Sequence, residues 1–421
     1  MSGVNALGDQ DSPLQSLPQG PVPRPGRRTD ACPTGTSPRY RRRCRVHAAQ
    51  VRANRRSRRR RFSGRYSMAR SSLHHRPRSP IPSISRDFDV RAGQAGSVGT
   101  IDTVDLSSAD APTRLDTALR KDGFVQLVGH GLSDEMADGL WSGMDEFFAL
   151  STNVKARYVV DDAAANRGYR QRGSEALSYS LGEASPPDLF ESFNSGHDDR
   201  AGTDRLIQQT PWPTEAPEFV AVAQRYLLEM AALSARLDEI FGEIIAIPDL
   251  AQRSMAGPDT MACIRYERRS DEVAPVPGQK RMGAHSDYTT FTILRADPVP
   301  GLEILTSGAA PGERWKSVIP DPGTLLLNVG DLLAIWTDDA WPSTVHRVPL
   351  RGDGTDPALR RSVAYFHYPD LDVSVEPLRA FRHAETRYSP VTVAEHLAAR
   401  LIGPKQHEPS AGTSTVGDRQ L

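Results

Sequence analysis

The sequence predicts an α+β protein, helices first and a closed β-structure second, on three observations. Apolar residues recur at helical spacing through the first half of the folded region, and after Met261 they give way to short β-like runs separated by Gly, Pro and Asp. The chain, at 421 residues, is long enough for one large core or two ordinary ones. Many short strands at close spacing suggest a barrel or a two-sheet jelly roll, because closure hides strand edges.

In chain order, residues 111–121 have helical character and run into the apolar segment 123–128, suited to a buried strand. Ser133 is an N-cap candidate followed by Asp134 and Glu135, with Met136, Leu140, Met144, Phe147 and Phe148 on one helical face. The longest helical pattern covers 217–247, where Phe219, Val222, Tyr226, Met230, Leu233, Leu237, Ile240 and Ile244 recur at three- and four-residue spacing. Strands are expected at 261–266, 289–294, 302–305, 316–319, 324–329, 332–336, 345–348 and 361–368, and a last helix at 391–402. The early helices are expected to pack against the outside of the barrel.

The formal net charge of zero conceals a division: residues 1–86 hold 20 arginines, no lysine and three acids (Asp9, Asp11 and Asp30), a local balance of +17. Rich in Pro, Ser and Gly as well, this extension is expected to be disordered, since it buries too little surface to offset ordering entropy. Its arginine blocks could contact nucleic acid or serve targeting. The preferred reading is an extension without a role in activity, with Met68 as an alternative start, since 47 arginines against five lysines reflect GC-rich coding. No run approaches a membrane span, and no apolar leader suggests export. Three cysteines, of which Cys263 stands alone in the folded part, offer neither a disulfide framework nor a zinc ribbon. A cytoplasmic, monomeric chain is expected, with nucleic acid an unexpected partner.

The chemistry narrows to His-x-acid pairs. Chance alone supplies about one His-x-Asp in a chain of this composition, so context must choose. His197 and Asp199 lie in a polar turn, and His383 and Glu385 lie among arginines; both pairs read as solvated surface. His285 and Asp287 instead directly precede the β-like segment 288–294, and in an extended chain residues i and i+2 point to the same side. His346, in the β-like segment 343–348, is the best third ligand. Two imidazoles and one carboxylate leave coordination positions open, the arrangement favoured by non-haem Fe(II) oxygenases. Downstream, Arg360, Ser362, Ala364 and Phe366 share one strand face, where guanidinium and hydroxyl offer directional donors to a carboxylate, while His367 falls on the other.

His285-Ser286-Asp287, His346 and Arg360-Arg361-Ser362, in that order, resemble the HxD…H…RxS signature of the isopenicillin N synthase-like family of iron(II) and 2-oxoglutarate-dependent dioxygenases. Secondary matches occur at 101–106, 123–131, Arg167-Gly168-Tyr169, 188–194, Tyr266, Asn328-Val329-Gly330-Asp331 and His346-Arg347-Val348. The resemblance spans about residues 100–404. It implies a double-stranded β-helix core at about 258–375, preceded by a helical region at about 100–250, within a domain of 87–421. It implies Fe(II) on His285, Asp287 and His346, 2-oxoglutarate on Arg360 and Ser362 with Tyr266 assisting, and O2 as oxidant. The implied reaction is hydroxylation, desaturation or cyclisation of an unactivated C–H in a small molecule, with release of succinate and CO2. Two alternatives stand beside it: an oxidase or cyclase resembling isopenicillin N synthase that needs no 2-oxoglutarate, and a non-catalytic metal- or acid-binding barrel with a nucleic-acid-binding arm. Ile264 and Asp338 stand where many members have asparagine. Arg167, Tyr169, Arg170 and Arg172 lie where the family often lines its substrate entrance; they read first as solvated loop charges, and second as binders of a carboxylate or phosphate. Glu191, Phe193 and Asn194 read as structural, and Trp336 and Trp341 as covering the mouth or packing.

Overall fold

Helical burial in the first half of the chain and alternating burial in the second build a helical cover and two sheets. The computed structural model describes residues 101–406 except 163, 203, 268–274, 307–313, 352–355 and 387, and the side chains of 402–406. These all belong to Asp89–Leu421, the second of the two units into which the chain divides. The extension 1–86 and Met68 lie outside the described residues.

β1 (Thr103–Asp105) leads into α1 (Ala111–Asp122), which has Pro112 in its first turn, where a missing N–H costs little. The helix stops at Gly123, whose φ of 63° suits glycine and whose N–H donates to Leu119 O. A Cβ at Gly123 would lie 2.2 Å from Pro342 O and 2.5 Å from Thr344 Oγ1, so this turn packs directly against the segment leading to His346. After β2 (Phe124–Val128), Ser133 caps α2 (Asp134–Phe148) by accepting from Met136 N at 3.2 Å, as its sequence signature predicts. The short α3 (Thr152–Lys155), β3 (Gly168–Arg170), a 3₁₀ turn at Leu177–Leu181 and β4 (Glu191–Gly196) precede the long α4 (Pro217–Ile244). The short α5 (Leu250–Arg253) closes this half.

The second half contributes β5 (Thr260–Glu267), β6 (Met282–His285), β7 (Phe291–Ala296), β8 (Leu302–Leu305), β9 (Trp315–Val318) and β10 (Leu325–Val329). The helical turn α6 (Asp331–Trp336), β11 (His346–Val348), β12 (Leu359–His367), β13 (Ser374–Val375), β14 (Val391–Thr392) and α7 (Val393–Gln406) complete it. Eight strands form one sheet in the order β1-β2-β10-β7-β12-β5-β4-β3, and four form another in the order β6-β11-β8-β9. All pairings in these two sheets are antiparallel except β1 with β2. This is the two-sheet jelly roll with a helical flank. One face of the large sheet is packed by the helices: Leu119, Phe147, Phe219 and Leu237 share a core with Phe193, Cys263, Leu327 and Val363. The alternate residues of the same strands, among them Ala262, Ile264, Tyr266 and Ala364, cluster with Met282 and Val348 of the small sheet.

Two strand expectations are corrected. Residues 332–336 are helical, not extended: Leu332 to Trp336 are all buried, and an unbroken apolar run carries no period to tell strand from helix. The strand expected at 289–294 begins only at Phe291, and His285 instead ends a strand of its own, β6. Helix α4 stops at Ile244, where Ile245 and the positive φ of Ala246 (61°) turn the chain.

Candidate metal centre and cosubstrate pocket

β6 and β11 are antiparallel neighbours, and their register sets His346 directly opposite His285. The facing imidazoles have centroids 4.3 Å apart. Asp287, two residues beyond His285, brings Oδ1 to 3.8 Å from Nε2 of both histidines. One ligand atom from each residue lies within 4.8 Å of the others, the arrangement a single divalent ion requires. Each Nδ1 is committed to a backbone carbonyl two residues upstream, His285 to Gly283 O at 2.9 Å and His346 to Thr344 O at 3.1 Å. That pairing fixes the tautomer and leaves both Nε2 lone pairs for a metal. Burial pushes His285 down to about 4, with His346 adding to the effect, so the ring is neutral at neutral pH. Burial would raise Asp287, but the two imidazoles, Thr292 and Asn328 hold it below the usual carboxylate range. Asn328 Nδ2 donates to Asp287 Oδ2 at 2.7 Å, which leaves Oδ1 for the ion.

A cavity of about 140 Å³ opens over these three side chains and runs between the sheets towards Arg360, Ser362 and Tyr266. Arg360 is 1% exposed and stands opposite Tyr266 in the β5–β12 register, its guanidinium carbon 5.2 Å from the centre of that ring. Its Nη1 lies 3.4 Å from Ser362 Oγ, and its Nε has no partner. Among the described residues no carboxylate pairs with Arg360 within 4 Å. A buried guanidinium with unspent donors is costly unless an anion arrives, and a dicarboxylate keto acid is an anion of the right kind. Burial raises the Tyr266 hydroxyl, opposed by Arg360, and this hydroxyl contacts Met282 Sδ at 3.5 Å. The rest of the lining is mostly apolar, from Phe190, Ile264, Leu294 and Phe366, with Asn166, Glu175, Ser192 and Asn194 among its polar points and Arg400 and Leu401 of α7 as one wall.

Residues 101–215 match the family described as the N-terminal part of a non-haem dioxygenase in morphine synthesis, and residues 258–369 match the 2OG-Fe(II) oxygenase superfamily. The chain belongs to the 2OG-Fe(II) oxygenase superfamily. This oxygenase is 28% identical over 298 residues to a validamycin A dioxygenase of Streptomyces hygroscopicus subsp. limoneus, covering 68% of this chain and 80% of that one. It is 29% identical over 283 residues to a homoarginine-6-hydroxylase of Arabidopsis thaliana, 65% of this chain and 81% of that one. Among solved structures it resembles a full-length Neurospora crassa protein in complex with alpha-KG, at a TM-score of 0.61 and 25% identity, covering 72% of this chain and 95% of that one. The double-stranded β-helix is therefore the fold, and an iron(II)- and 2-oxoglutarate-dependent dioxygenase is the enzyme class. Among the described residues no helix is long and apolar enough to cross a membrane.

Other sequence expectations for the oxygenase fare differently. His383 and Glu385 are exposed, as read. His197 is not solvated surface: it is 7% exposed and its Nε2 lies 2.9 Å from Tyr365 Oη. Arg167, Tyr169 and Arg170 are neither solvated nor offered to a ligand. Arg167 donates to Gln208 O, Asn166 O, Thr260 Oγ1 and Asp259 O, Tyr169 donates to Glu191 at 2.6 Å, and Arg170 donates to Ala165 O. Arg172 is likewise spent on the carbonyls of Leu189 and Glu267. Glu191 pairs with buried Lys155 at 2.7 Å, a structural role as expected. Trp336 and Trp341 pack in the core, and Trp341 Nε1 donates to Asp116. Reasoning from sequence missed the supports of the triad, namely the carbonyls of Gly283 and Thr344 and the amide of Asn328. Only Asn328 carried a signal, within the Asn328–Asp331 motif.

Proposed function

We propose that His285, Asp287 and His346 hold the Fe(II), and that Arg360 with Ser362 and Tyr266 takes the distal carboxylate of 2-oxoglutarate. The reaction is oxidation of an unactivated C–H of a small molecule by hydroxylation, desaturation or cyclisation, with release of succinate and CO2. The observation that carries this reading is the convergence of two Nε2 atoms and Asp287 Oδ1 beside a cavity whose far end is a buried, unpaired guanidinium. Iron with 2-oxoglutarate and O2 supplies an oxidant strong enough for such a bond. The chain's own contribution is geometric and electrostatic. Gly283 O and Thr344 O fix the imidazole tautomers, and Asn328 orients the Asp287 carboxylate. Arg360 neutralises the cosubstrate's far charge, and the apolar lining excludes water from the reacting carbon. An arginine-serine pair serves both kinds of enzyme, and it is the match to the 2OG-Fe(II) oxygenase superfamily that supports a 2-oxoglutarate user over the oxidase that needs none. Oxygen uptake measured with and without 2-oxoglutarate tests this, and uptake indifferent to the keto acid would favour the oxidase.

We also infer that the catalytic domain is 87–421 and that the arginine-rich extension takes no part in the chemistry, since His285, Asp287 and His346 make a complete triad and Arg360 and Ser362 an anion site without it. Protein started at Met68 should turn over 2-oxoglutarate like the full chain. A cytoplasmic monomer is part of this proposal, the site being complete within one chain. The mostly apolar lining with a few polar points suits a secondary metabolite; a substrate screen for coupled succinate release would test that.

A further inference from the structure

Asp188 belongs to none of the groups described so far, yet it is 2% exposed and lies behind the metal centre. Its carboxylate touches two segments that are far apart in sequence. Leu177 N, in the 3₁₀ turn that lines the cavity, donates to Oδ2 at 2.9 Å, and Oδ1 lies against the backbone of Gly283 in β6, 3.3 Å from where a Cβ would stand. Gly283 is also the residue whose carbonyl takes the Nδ1–H of His285. One peptide unit away from the metal ligand's hydrogen-bond acceptor, therefore, stands a buried carboxylate that grips the same residue from the other side. The fit is close: a Cβ on Gly283 would lie 2.5 Å from Ser178 Oγ, 2.8 Å from Ser178 N and 3.3 Å from Asp188 Oδ1. Only a residue without a side chain lets Asp188 and the 3₁₀ turn approach β6 this closely.

β6 needs such a grip, because it is the outer strand of the small sheet and has β11 as its only strand neighbour among the described residues. The β6–β11 register also shifts between His346 and Val348, so the ladder alone defines the position of β6 loosely. Docking of the 187–189 segment onto the chain before β6 does not depend on the Asp188 side chain: Leu189 N donates to Lys280 O at 2.9 Å and Gln279 Nε2 to Pro187 O at 2.8 Å. The carboxylate is thus free to act locally, on the Gly283 peptide.

We propose that Asp188 is a positioning residue for the metal centre, aiming His285 Nε2 at the ion through the backbone of Gly283 while anchoring Leu177 at the cavity wall. This rests on the reading of His285 as a metal ligand. It assigns Asp188 to iron retention rather than to cosubstrate binding, because Arg360 and Ser362 stand on β12 of the other sheet and only Tyr266, through Met282, touches β6.

The test uses the full chain with Co(II) as a spectroscopic probe of the metal site. Asp188→Ala should bind Co(II) roughly 10- to 100-fold more weakly than the wild type, the usual range for losing a support of a metal ligand. Asp188→Asn, which keeps one acceptor, should fall between them. The affinity for 2-oxoglutarate at saturating metal should change less than about threefold, since its anchor is untouched. Co(II) affinity within twofold of wild type in both variants would overturn the proposal. So would metal affinity, 2-oxoglutarate affinity and unfolding temperature falling together, or neither variant folding, because Asp188 would then be general scaffold. His285→Ala is the control: if it binds Co(II) as well as the wild type does, the metal-site reading fails, and that outcome is distinct from a failure of Asp188.

Discussion

Strand β12 has two faces, and they treat charge in opposite ways. Towards the cavity, Arg360 is buried with an unpartnered Nε and only Ser362 beside it. Away from the cavity, His367 sits between Asp238, at 2.9 Å from Nε2, and Asp259, at 3.1 Å from Nδ1. Asp259 in turn takes Arg200, the Tyr365 hydroxyl and the Tyr368 N–H, each at 2.9 Å. Both faces are dry, so the difference is not one of exposure. On the scaffold face the buried histidine has a carboxylate on each side; on the cavity face no carboxylate among the described residues reaches the guanidinium, and a ligand can meet the cost of burying it. A buried guanidinium without a carboxylate partner, facing a cavity, is what sets Arg360 apart from the scaffold charges.

That contrast can be broken in several places. The largest effect is expected at the triad: His285→Ala, Asp287→Ala and His346→Ala should each abolish succinate formation from 2-oxoglutarate while unfolding stays cooperative. Retained turnover in all three would remove the metal centre from the account. On the scaffold face, Asp259→Asn should cost about 3–5 kcal/mol of stability by denaturant unfolding, since it takes the carboxylate from Arg200 and one of the two from buried His367. Arg360→Leu should do the reverse of a scaffold variant. The KM for 2-oxoglutarate should rise about 100-fold, as expected when one partner of a buried charged hydrogen bond is removed, while stability without cosubstrate holds or rises. If Arg360→Leu unfolds as readily as Asp259→Asn, the two faces are not different in kind. Ser362→Ala should show the same signature at smaller scale, about a fivefold rise in the KM for 2-oxoglutarate, the size of one modest hydrogen bond.

The scaffold face also has a pH signature. Burial alone would lower His367, but Asp238 and Asp259 raise it to about 10. A cation favoured by the fold contributes stability that is complete below the unfolded value near 6.5 and is lost as pH rises through about 10. Denaturant midpoints should therefore fall between pH 7 and pH 10.5, and Asp238→Asn should flatten that slope. An unchanged slope in the variant would mean that the alkaline loss arises elsewhere.

Much of the site was legible in the sequence because its chemistry is local. His285 and Asp287 lie two residues apart, Arg360 and Ser362 alternate along one strand, and strand periodicity correctly turned His367 to the other face. What could not be read depends on partners far along the chain. Arg167 looks like a loop charge until β5 brings Thr260 and the Asp259 carbonyl to it, and His197 looks like surface until Tyr365 arrives. β6 was missed because Met282-Gly283-Ala284-His285 has neither alternation nor β-branched residues. α6 was taken for a strand because a fully buried run carries no period. The helical cover was easier, since Ser133, Pro112 and Gly123 write its ends into the sequence.

The placement of His285 on one strand and His346 on its neighbour has a thermodynamic corollary. An ion bound there is a cross-link between an outer strand and the interior of the small sheet, so loading the metal and ordering that sheet are linked equilibria. Ion present at a hundred times its dissociation constant adds about 2.7 kcal/mol to the native state. Iron starvation would then loosen the hold of β6 on its sheet as well as silence the protein.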